Sequence, residues 1–154
     1  LEAKLDKPIV VDADGLIIGR LASRVAKMLL NGYRVIVVNS EKALISGKRS
    51  MIIREYKERL RISSRVHPRH GPFHPRRPDR MLTKMIRGMV PRRTPHGIQA
   101  MKRLRVYIGV PEEYAKVEKI KIKDALPRKP LSFYTRLGEV AKEIGWKGLK
   151  GEEI

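Results

Sequence analysis

The apolar positions of this chain change period several times, and each period predicts an element. Ile9, Val10 and Val11 form a short apolar run that stops at Asp12, and Asp14-Gly15 supplies a turn. This reads as a buried strand leading into a loop. Over residues 18–30 the apolar side chains Ile18, Leu21, Val25, Met28 and Leu29 recur at helical spacing, with Arg20, Arg24 and Lys27 towards the other side and Gly32 placed to cap the C-terminus. Such spacing predicts an amphipathic helix. Val35, Ile36, Val37 and Val38 are β-branched without alternation, the pattern of a strand buried on both faces. Strand, helix and strand in about 30 residues make a βαβ unit with parallel strands and a right-handed crossover.

Beyond it the pattern loosens. Asn39-Ser40 ends the strand, Ala43-Leu44-Ile45 suggests a brief further one, and Ser46 is placed to cap a helix through Met51, Ile52, Glu55 and Tyr56 towards Leu60. Residues 62–78 lose periodicity altogether: Pro68, Pro72, Pro75, Pro78 and Gly71 stand among arginines and histidines, which excludes a helix and disfavours a central strand. An extended arm is expected there, disordered until a ligand orders it. Pro78 suits the first position of a helix whose apolar side is Met81, Leu82, Met85, Ile86 and Met89. A short helix around Ile98, Met101 and Lys102 follows, then a strand over 104–108 closed by Gly109 and Pro111. Pro127 and Pro130 flank a linker, and residues 134–144 with Gly145 behind them read as a last helix. The expected fold is α/β, in one domain of 154 residues, with a basic arm over 59–80 and a C-terminal linker and short helix over 115–154.

Charge sharpens this picture. The formal net charge is +19, and residues 59–105 carry 14 Lys+Arg against a single acid, Asp79, a surplus of 14 − 1 = 13. His67, His70, His74 and His96 also fall in this stretch. A region so one-sided repels itself and calls for a polyanion. Nucleic acid is favoured over an anionic membrane, because the basic residues do not lie on an amphipathic helix. The longest clean apolar run, residues 35–38, is far too short to span a bilayer, and the N-terminus has no apolar core of a signal peptide. A soluble, intracellular protein is expected. The absence of cysteine excludes disulfides, thiolate zinc sites and cysteine nucleophiles. Arginine outnumbers lysine 12 to 2 between positions 59 and 105, and its planar fork suits bidentate phosphate contacts and stacking on bases.

Catalytic and cofactor motifs are weak by comparison. Asp12-Ala13-Asp14-Gly15 opens a helix after a strand, but the glycines at 15 and 19 do not have dinucleotide-fingerprint spacing. Ser46-Gly47-Lys48-Arg49-Ser50 resembles the end of a P-loop, yet the required upstream glycine would be at position 42, which is Lys42. His67, His70 and His74 have plausible metal-ligand spacing, but Arg69, Arg76 and Arg77 crowd them and no carboxylate precedes Asp79 within the cluster. Phosphate hydrogen bonds, or stacking on bases together with Phe73, suit them better. The methionines at helical spacing read as core filler, and Glu112-Glu113 as residues favouring a helix N-terminus. A metal-dependent nucleic-acid-processing enzyme using His67, His70 and His74, and a general DNA-compacting protein, remain as alternatives to a structural RNA binder.

Several separated motifs bear on that choice. Arg87-Gly88-Met89-Val90-Pro91, followed by Gly97, Ala100, Leu104, Val106-Tyr107 and Gly109-Val110-Pro111, resembles the L13 family of large-subunit ribosomal proteins. Asp12-Ala13-Asp14-Gly15, Gly19-Arg20-Leu21-Ala22-Ser23, Val38-Asn39-Ser40-Glu41-Lys42 and Ile45-Ser46-Gly47 are similar to that family's opening segment. Gly71-Pro72 and Arg77-Pro78-Asp79 resemble its archaeal and eukaryotic branch, and the stop soon after Trp146 favours the archaeal side. The resemblance covers about residues 8–114.

It implies a three-layer α/β/α sandwich around a small parallel sheet of about four strands. It also implies a structural role in large-subunit assembly and integrity, located in cytoplasmic ribosomes, without catalysis, cofactor, metal, membrane or small-molecule substrate. The partners implied are large-subunit rRNA and neighbouring large-subunit ribosomal proteins. On the signature, Arg87, Arg92 and Arg93 are the expected RNA contacts and Gly88 admits close backbone approach. The arm adds Arg65, His67, Arg69, His70, Phe73, His74, Arg76, Arg77 and Arg80. Arg20, Lys48, Arg49, Lys102 and Arg103 complete the candidate set.

Overall fold

The computed structural model describes residues 7–149. In chain order the elements are β1 (Ile9–Asp12), α1 (Ile18–Leu30), β2 (Val35–Val38), β3 (Leu44–Ser46), α2 (Arg49–Leu60), α3 (Pro78–Gly88) and α4 (Pro95–Lys102). Then follow β4 (Leu104–Val106), the single turn α5 (Glu112–Ala115), β5 (Lys119–Ile120), β6 (Tyr134–Arg136) and α6 (Leu137–Glu143). The expected βαβ unit opens the fold: β1 and β2 are parallel, with Ile9 opposite Val35 and Asp12 opposite Val38. Between them α1 buries Ile18, Leu21, Ala22, Val25, Ala26 and Leu29.

Four parallel strands form the main sheet in the order β4-β2-β1-β5. Alternation divides their side chains between two faces. Val11, Val35, Val37 and Leu104 join the large core with Leu21 and Val25 of α1, Leu82 and Ile86 of α3, and Ala100 of α4. Val10, Ile36 and Val38 point the other way, beneath Tyr107 and Tyr114, on and before α5. Every side chain of β2 is buried, as its unbroken β-branched run required. The result is an α/β sandwich with helices flanking a parallel sheet.

Several elements differ from their sequence patterns. The last helix begins at Leu137 instead of 134, because Tyr134–Arg136 pairs antiparallel with Ser46–Leu44 as a second, two-stranded sheet. Tyr and Thr suit that strand, and pairing satisfies backbone groups of β3. Ser46 consequently belongs to β3, and Lys48 occupies the N-cap of α2 without a side-chain cap bond. β4 ends at Val106, since the chain turns at Gly109 (φ +67°), whose amide donates to Glu41 Oε2 at 2.9 Å. β5 has only two residues and no sequence period announced it.

Residues 62–77 contain one short 3-10 turn, Pro68–His70. The segment doubles back: a Cβ on Gly71 would lie 2.7 Å from the Ser64 nitrogen, and His74 Nε2 lies 2.8 Å from the Ile62 carbonyl oxygen. Its returning limb leads into α3, with Pro78 in the first turn. Among the described residues no helix is long and apolar enough to cross a membrane.

Candidate nucleic-acid interface

Helix α3 sets the geometry of the basic surface. Pro78, Met81, Leu82 and Ile86 are buried and lock the helix to the core. Arg80, Lys84 and Arg87, spaced i, i+4 and i+7, are therefore left together on the exposed face. The returning limb of residues 62–77 lies alongside. Lys84 Nζ donates to the Phe73 carbonyl at 3.3 Å, while the Phe73 side chain stays open to solvent. Phe73, His74, Pro75, Arg80, Thr83, Lys84 and Arg87 enclose a shallow groove of about 390 Å³. Arg87 also borders a second depression of about 340 Å³ with Arg92, Ile98, Met101 and Lys102. The two join at Arg87 into one cationic track from the arm, along α3, to α4.

The turn between these helices is held from within. Val90 is buried, and Thr94 caps α4 by accepting from the Gly97 amide at 3.2 Å. A Cβ on Gly97 would lie 2.0 Å from the Pro91 carbonyl oxygen, so glycine is required there for α4 to meet the loop. Gly88 differs: a Cβ would meet nothing within 4 Å. No described segment of the chain comes close to Gly88. Arg92 and Arg93 are exposed on the loop so fixed.

Ion pairing sorts the candidate cations. Arg80, Arg87, Arg92, Arg93 and Lys102 are exposed and pair with no acid among the described residues. Arg77 is bound to Asp79 at 3.2 Å, and Arg49 to Glu143 at 3.1 Å. Arg103 is turned inward, its guanidinium donating to the Leu29 carbonyl at 2.7 Å at the C-terminal end of α1. Arg76 lies against the end of α6, where a Cβ on Gly145 would be 3.0 Å from a guanidinium nitrogen. Arg20 is exposed on α1 and borders neither depression of the track. Lys48 borders a separate depression of about 280 Å³ with Ser46, Gly47, Lys129, Ser132 and Phe133.

Arg65, Arg69, His67 and His70 are exposed at the far end of the arm. The His67 and His70 rings stand 4.9 Å apart, and His67 Nδ1 accepts from the Arg69 amide at 3.2 Å. His74 is tied back to Ile62, so it does not converge with them. Among the described residues no group of three His, Asp or Glu side chains is placed to hold a metal ion. Asp12 has a structural task, accepting from the Asp14 amide at 3.0 Å and from Asn39 Nδ2 at 2.9 Å.

One cation of the track, Lys84, was absent from the candidate set. Its spacing from Arg80 and Arg87 on a single helical face is the signal in the sequence.

Fold and surface together define a small α/β protein with a rigid parallel sheet and a continuous cationic flank. The chain belongs to the ribosomal protein L13 family, whose model matches residues 6–113, close to the stretch that carries the sequence resemblance. A protein of Methanosarcina barkeri named large ribosomal subunit protein uL13 is 49% identical over 90% of this chain and 98% of its own length. The proteins of the same name from Archaeoglobus fulgidus and Aeropyrum pernix are 44% and 43% identical, over 91% and 92% of this chain and 89% and 92% of theirs. All three are archaeal, the branch to which the sequence pointed.

Proposed function

We propose that this chain is a structural constituent of the large ribosomal subunit in the cytoplasm, where it binds large-subunit rRNA and supports subunit assembly and integrity. The observation that carries the reading is the track of Arg80, Lys84, Arg87, Arg92 and Lys102, cations without acid partners among the described residues, on two helices fixed to one core and the loop between them. Membership of the L13 family adds the ribosome as the setting. The preformed helices hold their charges at fixed spacing, which reduces the entropy lost on binding phosphates. The arm, with Arg65, His67, Arg69, His70 and Phe73, reaches into the RNA, and stiffening by Pro68, Pro72 and Pro75 lowers the cost of ordering it. Arg93 and Gly88 serve the signature turn, the latter by letting an RNA backbone come close. Neighbouring large-subunit proteins occupy surfaces away from the track.

The test is to express a tagged chain in an archaeal host, size the ribosomal particles and crosslink with ultraviolet light. Co-sedimentation with the large subunit and crosslinks from residues 65–102 to its rRNA are expected. Recovery in free fractions, or crosslinks confined to other RNAs, would refute the reading.

A further inference from the structure

The cationic groove does not end at Lys84. Lys84, His74 and Pro75 also border a deeper cleft of about 250 Å³, walled by Tyr56, Leu60, Met81, Met85 and Ile144, with Arg59 at its edge. The cleft lies where α2, α3 and the end of α6 meet the base of the arm. We propose that it receives one unpaired RNA base, extruded from the strand whose phosphates follow the track; this rests on the RNA-binding reading above.

Size, chemistry and position each support this occupant. Drug-sized molecules fill pockets of roughly 300–1,000 Å³, so about 250 Å³ fits a single heterocycle better than a whole nucleotide. The walls offer the aromatic ring of Tyr56 and the polarizable thioethers of Met81 and Met85, surfaces that accept the π-face of any base. A base also brings a polar edge, and the Tyr56 hydroxyl makes no hydrogen bond among the described residues. Burial raises the Tyr56 pKa, the nearby Arg59 opposing, so the phenol stays a neutral donor.

The mouth is cationic. Arg59 lies over the Tyr56 ring, 5.2 Å from its centroid, while also pairing with Glu55 one turn earlier, and Lys84 stands at the boundary with the groove. A phosphate at Lys84 thus places its own or the next base beside the opening. An apolar side chain of a neighbouring protein would gain the walls but has no use for this rim, so charge complementarity favours the nucleotide.

The experiment uses the full chain and in vitro transcribed archaeal large-subunit rRNA. Tyr56→Phe removes the hydroxyl with little change of shape, and Met85→Trp narrows the cleft; thermal melting checks that each is folded. Both are expected to weaken binding, Met85→Trp by roughly tenfold or more, with an unchanged salt dependence because no phosphate contact is lost. Wild-type affinity in both folded variants would overturn the base-binding cleft while leaving rRNA binding intact. Failure of the wild-type chain to bind would instead refute the parent reading. Ultraviolet crosslinking of assembled wild-type subunits, mapped by mass spectrometry, should attach a nucleotide to Tyr56, Met81 or Met85; attachment of these residues to another protein would overturn the proposal in favour of a protein partner.

Discussion

Neutralising the track gives the most direct quantitative test. Arg80→Ala, Lys84→Ala, Arg87→Ala and Arg92→Ala together remove four cations that are exposed and have no acid partner among the described residues. Each phosphate contact contributes a log–log salt slope of roughly 0.7 on single strands to 0.9 on duplex. Losing four should make the slope of affinity against salt shallower by roughly 3. Between 50 and 200 mM salt, a fourfold change, the gap between wild type and variant should therefore shrink by about 60-fold. Fluorescence anisotropy with labelled large-subunit rRNA, titrated across that range, reads the slope directly. Arg77→Ala is the internal comparison: its guanidinium already pairs with Asp79, so its effect on the slope should be smaller. Surface substitutions of this kind change stability by only about 0.5 kcal/mol either way. An unchanged slope would refute the track as the site of phosphate contact. Unfolding of the variant would show that these residues support the core.

The two signature glycines should behave oppositely. Gly97→Ala, with its Cβ 2.0 Å from the Pro91 carbonyl oxygen, should destabilise by about 1–3 kcal/mol or more in denaturant unfolding. Gly88→Ala, where a Cβ meets nothing within 4 Å, should hold or slightly raise stability, yet weaken rRNA binding. Arg103→Ala removes the bond to the Leu29 carbonyl. It should cost about 1–2 kcal/mol with little change in the salt slope, separating it from Arg92. Thr94→Ala deletes the side-chain cap of α4 and should lower the melting temperature through a loss of about 1 kcal/mol.

Local periodicity, net charge and punctuation were enough to read much of this protein. The β-branched run at 35–38, the stripe along 18–30 and Pro78 ahead of the methionines each gave an element at nearly its observed boundaries. These features depend on neighbours within one or two turns of chain, which sequence spacing records. The concentration of arginine likewise indicated a polyanionic partner, and the scattered motifs indicated the family. What required the fold were the pairings between distant segments. Lys119–Ile120 is a strand only because β1 offers an edge, and Tyr134–Arg136 leaves the predicted helix because β3 does.

Arginines 92 and 103 look alike in sequence, but one lies open beside Lys102 while the other meets a carbonyl 74 positions earlier in the chain. The doubled-back arm and the cleft beside Tyr56 arise from the same kind of contact. Sequence determined which residues were cationic and which segments were helical. Tertiary packing alone decided which charges face outward and what space they enclose, because those outcomes depend on contacts between segments far apart in the chain.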